Sequence, residues 1–248
     1  MTLEGAARRL LACLDLTELS DTCLPTQVDA VCGRASTPFG TVAAICIHPS
    51  YVAQAATALK GRAIGIATVI NFPAGGLDIE RALDDTKEAV RDGATEIDLV
   101  TPYAALVSGD PAPMREMIAA IAEALPAHVK LKAILETGML KTPTLIRQAS
   151  EIAIASGAHF LKTSTGKTDV SATPEAARIM LETIRDSSAP VGFKASGGLR
   201  TLRDTLVYLE LADGIMGPDW AKPATFRIGA SALLGSLLDA IQAPSGAG

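Results

Sequence analysis

The chain has 248 residues, 22 Lys and Arg against 27 Asp and Glu, a net charge of −5, and 48% apolar residues. That content allows one large core, and the acidic balance argues against nucleic acid as a main partner, since phosphate backbones recruit basic surfaces. A single small phosphate needs only one local anion site and is not excluded.

The predicted elements are short apolar strands alternating with longer helical stretches. Residues 3–14 carry a helical pattern, and the strand "ACLDL" (12–16) abuts it. Strands follow at "VAAICI" (42–47) and "AIGIATVI" (63–70). Residues 78–93 place Ile79, Leu83, Lys87 and Val90 at helical spacing and close on Gly93,. Strands "TEIDLV" (95–100) and "VKLKAIL" (129–135) come next. A helix over 143–157 opens with Thr142 as N-cap and Pro143 at its first position and closes on Gly157,. The strand "AHFLK" (158–162) precedes a helix over 173–187 with the same Thr-Pro opening. "PVGFK" (190–194) and "DGIMG" (213–217) complete eight strands, with Gly214 read as a helix-to-strand hand-over. "FRIGAS" (226–231) competes for the last place. "GASALLGSLLDAIQ" reads as a final helix with Ser231 near its start, and 244–248 reads as a disordered tail,.

Eight alternations over 248 residues, about 31 each, predict a single-domain (β/α)8 barrel over residues 1–243,. The alternative, a doubly wound sheet, often carries a glycine-rich first turn, and the chain has none. Cys13, Cys23, Cys32 and Cys46 form no Cys-x-x-Cys pair, and His48, His128 and His159 are scattered, so no metal site is expected,. No run of roughly 18 apolar residues occurs, and Glu4, Arg8 and Arg9 do not fit a secretory leader,. A cytoplasmic protein without membrane contact is expected.

Barrel chemistry gathers at the C-terminal strand ends. Those positions offer Asp15 and Thr17, Cys46 and His48, Asn71, Asp98 and Thr101, Lys132 with Glu136 and Thr137, Lys162, and Lys194. Lys162 and Lys194 stand on neighbouring strands about 4.8 Å apart. Two ammonium groups that close repel, so one should lose its proton below the usual pKa of about 10.4. A neutral amine attacks carbonyls and an ammonium does not. The bland alternative is that each lysine caps a strand and pairs with a carboxylate.

"TGKT" (165–168) resembles the end of a nucleotide-binding P-loop, but the position five before Gly166 is Leu161 rather than glycine,. The glycines point elsewhere. "TGK" (165–167), "SGG" (196–198) and "IGAS" (228–231) sit at one rim, where barrels bind phosphate on backbone N–H groups and a helix N-terminus,.

"LDLTELSD", "AAICIHP", "TVINFPAG", "EIDLV", "KAILETG", "FLKTSTGK", "VGFKASGGLRT" and "RIGAS" together resemble the deoxyribose-phosphate aldolases over residues 10 to 235. The resemblance implies a cofactor-free, metal-free class I aldolase that cleaves 2-deoxy-D-ribose 5-phosphate to acetaldehyde and glyceraldehyde 3-phosphate. It implies Lys162 as the Schiff-base residue, Lys194 as the group that lowers its pKa, Asp98 as acid and base through a water, and Asp15 as support. Gly166, Lys167, Gly197, Gly198 and Ser231 would hold the phosphate. Thr17, Cys46, Phe72, Lys132 and Thr165 would line or brace the site. A homodimer is the assembly the resemblance implies. Ala195 and Ser196 stand where members carry proline and alanine, Ala232 where a second serine is common, His48 where a tyrosine is common, and the chain ends "SGAG" where some members end in tyrosine. Two rivals remain: a transaldolase-like lyase with the same Schiff base, and a sugar-phosphate binder without activity.

Overall fold

The computed structural model describes residues 2–243. The tail expected to be disordered, 244–248, lies outside the described residues. Eight parallel strands close into a barrel: β1 (Leu14–Glu18), β2 (Ala44–Ile47), β3 (Gly65–Ile70), β4 (Glu96–Val100), β5 (Lys130–Ile134), β6 (Phe160–Lys162), β7 (Gly192–Ser196) and β8 (Phe226–Ala230), with β8 pairing back onto β1. A two-stranded hairpin, 36–37 with 40–41, stands apart from it.

The helices are α1 (Leu3–Ala12), α2 (Pro25–Arg34), α3 (Val52–Ala58), α4 (Ile79–Arg91), α5 (Tyr103–Val107), α6 (Ala112–Ala124), α7 (Thr137–Leu140), α8 (Pro143–Ala155), α9 (Pro174–Ser187), α10 (Leu202–Met216) and α11 (Leu233–Gln242). Thr2, Asp78, Thr142, Thr173 and Thr201 each accept a first-turn N–H at the start of α1, α4, α8, α9 and α10. Such caps contribute about 1 kcal/mol apiece. No helix among the described residues is long and apolar enough to cross a membrane.

Strand alternation divides the barrel into two environments. Ile97 and Leu99 of β4, Leu131 and Ala133 of β5, Leu161 of β6, Phe193 and Ala195 of β7, and Phe226 and Ile228 of β8 belong to the apolar layer under the helices. The residues between them face the barrel axis. Branched apolar side chains usually fill that interior. Here β4, β5, β7 and β8 send in Glu96 and Asp98, Lys132, Lys194 and Arg227, with a small apolar group of Cys46, Ala67 and Val69 on the opposite wall.

The last strand is not "DGIMG". Residues 213–216 finish α10, and β8 is the competing run. Thr201 and Asp204 form a capping box that starts α10, and Leu202, Thr205, Tyr208, Leu209 and Ala212 give it a continuous buried face,. Gly217, at φ 99°, follows α10, while Gly214 lies inside the helix and hands nothing over. Gly93 (φ 110°) and Gly157 (φ 93°) do follow helix ends as expected,. The first strand begins two residues later than expected because α1 extends to Ala12.

Candidate active site

Lys162, last residue of β6, pairs in register with Ile134 of β5 and Lys194 of β7, and Lys194 pairs with Arg227 of β8. One step lower, Asp98 of β4 pairs with Lys132 of β5. Neighbouring strands thus aim charged side chains at a common point. Asp98 Oδ2 accepts from Lys162 Nζ and Lys194 Nζ, both at 2.7 Å, and its Oδ1 accepts from Lys132 Nζ at 2.7 Å. Asp15 Oδ2 accepts from Lys194 Nζ at 2.5 Å, and its Oδ1 from Arg227 Nη1 at 2.6 Å. Glu96 closes the network, 2.5 Å from Lys132 Nζ and 2.8 Å from Arg227 Nη2.

All seven side chains are buried. Taking ions from water costs several kcal/mol each unless partners compensate. Four cations meet three carboxylates, so the supply of partners is uneven. Lys132 lies within 4 Å of three carboxylates, Lys194 and Arg227 of two each, and Lys162 of one, whose oxygen it shares.

The titration behaviour follows. Burial, offset only in part by Asp98 and reinforced by the like charge of Lys194, brings Lys162 below the ordinary lysine value. Burial also opposes the charge on Lys194 and Lys132. The carboxylates Asp15 and Asp98 nonetheless raise Lys194, and Asp98 and Glu96 raise Lys132. Burial works against the charge on Asp98 and Asp15 too, but the surrounding cations hold both below the usual carboxylate range. The expectation that one lysine of the pair loses its proton easily is met, and burial is the larger cause.

Above the network opens a cleft of about 410 Å³ lined by Thr17, Lys162, Thr165, Gly166, Lys167, Gly197, Gly198, Arg200 and Ser231 among others. Of the seven charged residues only Lys162 lines it; Asp15, Asp98, Lys132 and Lys194 stand behind the wall. Cys46 is buried with its Sγ 3.9 Å from Asp98 Oδ2, and burial followed by that carboxylate pushes its thiol up. Phe72 lies apart from the cleft. It lines a second depression with His48, whose ring it meets edge-on at 6.3 Å between centroids.

The cleft's other end suits an anion. Gly166, Gly197 and Gly198 have φ of 81°, 91° and 79°, conformations glycine adopts readily,. The two loops that carry them are tied together: Ser196 N–H donates to Thr163 Oγ1 at 3.0 Å, and Ser196 Oγ–H to the Ser164 carbonyl at 2.6 Å. A serine after Ala195 therefore has a local role. α11 starts at Leu233, just beyond Ser231, with no side-chain cap on its first-turn N–H groups, which is the property that makes a helix N-terminus an anion site. Lys167 Nζ is held by Asp21 Oδ1 at 2.6 Å. Among the described residues no set of three or more His, Cys, Asp or Glu is arranged to hold a metal ion.

Arg227, Glu96 and Arg200 were not among the expected site residues. Period-2 alternation could have found the first two. Glu96 stands two before Asp98, and Arg227 two before Gly229 in "FRIGA", so each shares its partner's face. The assignment of the last strand to "DGIMG" hid Arg227.

Comparison with known proteins points the same way. A family model described as "DeoC/LacD family aldolase" matches residues 10–234. A deoxyribose-phosphate aldolase of Agrobacterium fabrum (strain C58) is 54% identical over 237 residues, 95% of this chain and 92% of that protein. The solved aldolase QR15 superposes with a TM-score of 0.79 at 27% identity, over 93% of this chain and 96% of its own. The deoxyribose phosphate aldolase of Aeropyrum pernix, described as tetrameric, shares the fold with a TM-score of 0.76 at 24% identity, over 96% of this chain and 93% of its own.

Proposed function

The chain belongs to the DeoC/LacD aldolase family, and from that membership we infer that it is a deoxyribose-phosphate aldolase, cleaving 2-deoxy-D-ribose 5-phosphate reversibly to acetaldehyde and D-glyceraldehyde 3-phosphate. The observation that carries the chemistry is the least-supported cation of the buried network, Lys162, on the floor of the cleft. Its pKa is lowered, which favours the neutral, nucleophilic amine, and it is the one member of the buried network that lines the cleft,.

The steps follow from that placement. Lys162 Nζ adds to C1 of the open-chain sugar, and the carbinolamine loses water to leave an iminium. The C2–C3 bond breaks as the C3 hydroxyl passes its proton to water, the electron pair of the breaking bond flows into the iminium, and glyceraldehyde 3-phosphate departs. The remaining enamine takes a proton on its terminal carbon, and water releases acetaldehyde and the amine. Lys194 keeps its proton beside Asp98 and Asp15 and supplies the like charge that disfavours an ammonium on Lys162. Asp98, hydrogen-bonded through one oxygen to both lysines, links the two nitrogens and balances the iminium once it forms. Lys132 and Arg227 hold Asp98 and Asp15 in place. The phosphate reading is supported by the left-handed glycines 166, 197 and 198 and by the uncapped start of α11, with Lys167, Ser231 and Arg200 at the same end. A homodimer in the cytoplasm completes the reading; sedimentation would tell a dimer from the tetramer described for the Aeropyrum pernix protein.

The test is to incubate the protein with deoxyribose 5-phosphate, add borohydride, and map the reduced adduct by mass spectrometry. An adduct on Lys162, lost in Lys162→Leu, is expected. An adduct on Lys194 or Lys132 would overturn the assignment of the nucleophile. No substrate-dependent adduct in a folded protein would leave a sugar-phosphate binder.

A further inference from the structure

Glu136 combines three features. It is fully buried. It sits at φ 53°, ψ 61°, a left-handed conformation uncommon for any residue but glycine,. And the buried ion network, which uses Asp15, Glu96 and Asp98, does not include it.

The hydrogen-bond partners of its carboxylate, Thr165 and Thr168, lie in the segment that follows Lys162. Beyond β5 the chain continues alongside that segment, with Leu135 N–H donating to the Lys162 carbonyl at 2.9 Å and Thr137 N–H to the Thr163 carbonyl at 2.9 Å. Glu136 is thereby carried beneath the turn at 165–168. Its Oε2 accepts from Thr165 Oγ1 at 2.6 Å and from Thr165 N–H at 3.2 Å, and its Oε1 lies 3.2 Å from Thr168 Oγ1, whose proton can alternatively go to the Val170 carbonyl at 3.0 Å. Thr165 Oγ1 in turn accepts from Lys167 N–H at 3.0 Å.

The direction of this chain matters. An ionised carboxylate only accepts, so the Thr165 hydroxyl is compelled to donate toward Glu136 and to present a lone pair to Lys167 N–H. The residue between the two ends of that relay is Gly166, which lines the cleft with Thr165 and Lys167. We propose that Glu136 is a positioning residue for the phosphate half of the site: through Thr165 it sets the backbone of Gly166 and Lys167 against the substrate's phosphate without touching it. The proposal rests on the phosphate reading given above. A buried carboxylate at a left-handed backbone position is costly in two ways, and the hold on Thr165 is what offsets it.

Glu136→Gln keeps the size and removes the acceptor-only character, since one end of the amide donates. The test compares kcat/KM for deoxyribose 5-phosphate with that for unphosphorylated 2-deoxyribose in the full chain. The ratio should fall on the order of tenfold in Glu136→Gln, the scale of one hydrogen bond to a charged group. The fall should be carried by the KM of the phosphorylated sugar. Thr165→Val should give a similar fall, and the double variant little more, because both break one relay. A general loss of structure would lower both substrates together and leave the ratio alone.

An unchanged ratio in folded Glu136→Gln, or falls that add in the double variant, overturns the proposal. If Glu136→Gln does not fold, Thr165→Val decides alone, and an unchanged ratio there overturns it. A parent protein that shows no preference for the phosphorylated sugar refutes the phosphate reading itself and the proposal with it. A parent that prefers it while the variants keep that preference refutes only the role of Glu136.

Discussion

Lys162 and Lys194 occupy one register position on adjacent strands and share a single carboxylate oxygen, yet their basicities move apart. The difference is that Asp15 supports Lys194 and not Lys162. This makes the pair testable with one substitution. In Lys194→Leu the like charge disappears while Asp98 stays, so the pKa of Lys162 rises. The neutral amine then appears only at higher pH. The limb of the pH–rate profile for borohydride-trapped adduct is expected to move to higher pH, and kcat/KM near neutrality to fall roughly 10²-fold, the scale of a lost acid–base partner. A limb that stays in place would mean that burial alone depresses Lys162. The two lysines, Asp15 and Asp98 could be picked out in the sequence because catalytic groups gather toward the C-terminal ends of barrel strands, and the family resemblance gave them their roles. What could not be read was which lysine had fewer partners, since that depends on Asp15 of β1 reaching Lys194 of β7 and not Lys162 of β6.

At the level of elements, the anion half of the cleft is made by two loops held to each other by Ser196 and Thr163. Their glycines are not equivalent. A Cβ on Gly197 would lie 2.5 Å from Ser171 Cβ, whereas one on Gly198 meets nothing within 4 Å. Gly197→Ala therefore adds a clash to the backbone strain and should cost about 2–3 kcal/mol, while Gly198→Ala should cost about 1 kcal/mol from the left-handed conformation alone. Thermal unfolding of the two variants orders them. Both should raise the KM for the phosphorylated sugar, because each disturbs N–H groups at the same rim. The sequence reading placed these loops well, since glycine doublets after strands carry their own signal. It failed on β8, where a short apolar run inside α10 looks like a strand until Thr201, Asp204 and the buried face of α10 are read as one helix.

For the whole molecule the uncommon fact is a barrel whose interior is ionic where others are apolar. The outer layer, between sheet and helices, supplies the hydrophobic core, and the fold was legible because that layer imposes the strand and helix periods on the sequence. The ionic interior has consequences of its own. Arg227→Met should destabilise the protein by about 3–5 kcal/mol, since Asp15 and Glu96 lose a buried partner,. A chain of this size should then melt lower by on the order of 10 °C. The pKa values of Asp15 and Asp98 are depressed in the folded state. Their contribution is thus fully present above the unfolded value of about 3.9 and fades as pH falls through the carboxylate range toward the folded values. Denaturant titrations at descending pH should show stability declining from about pH 5 downward.

The uneven tally of four cations to three carboxylates also sets activity against endurance. Lys162 is the member of the network with a single carboxylate partner, and its removal leaves that partner, Asp98, with both Lys132 and Lys194. An inactive Lys162→Met protein should therefore outlast its parent on heating, with a higher midpoint of thermal unfolding. Its reactivity and its fragility would then be two readings of one thinly supported charge, and selection for heat resistance alone would be expected to discard the nucleophile first.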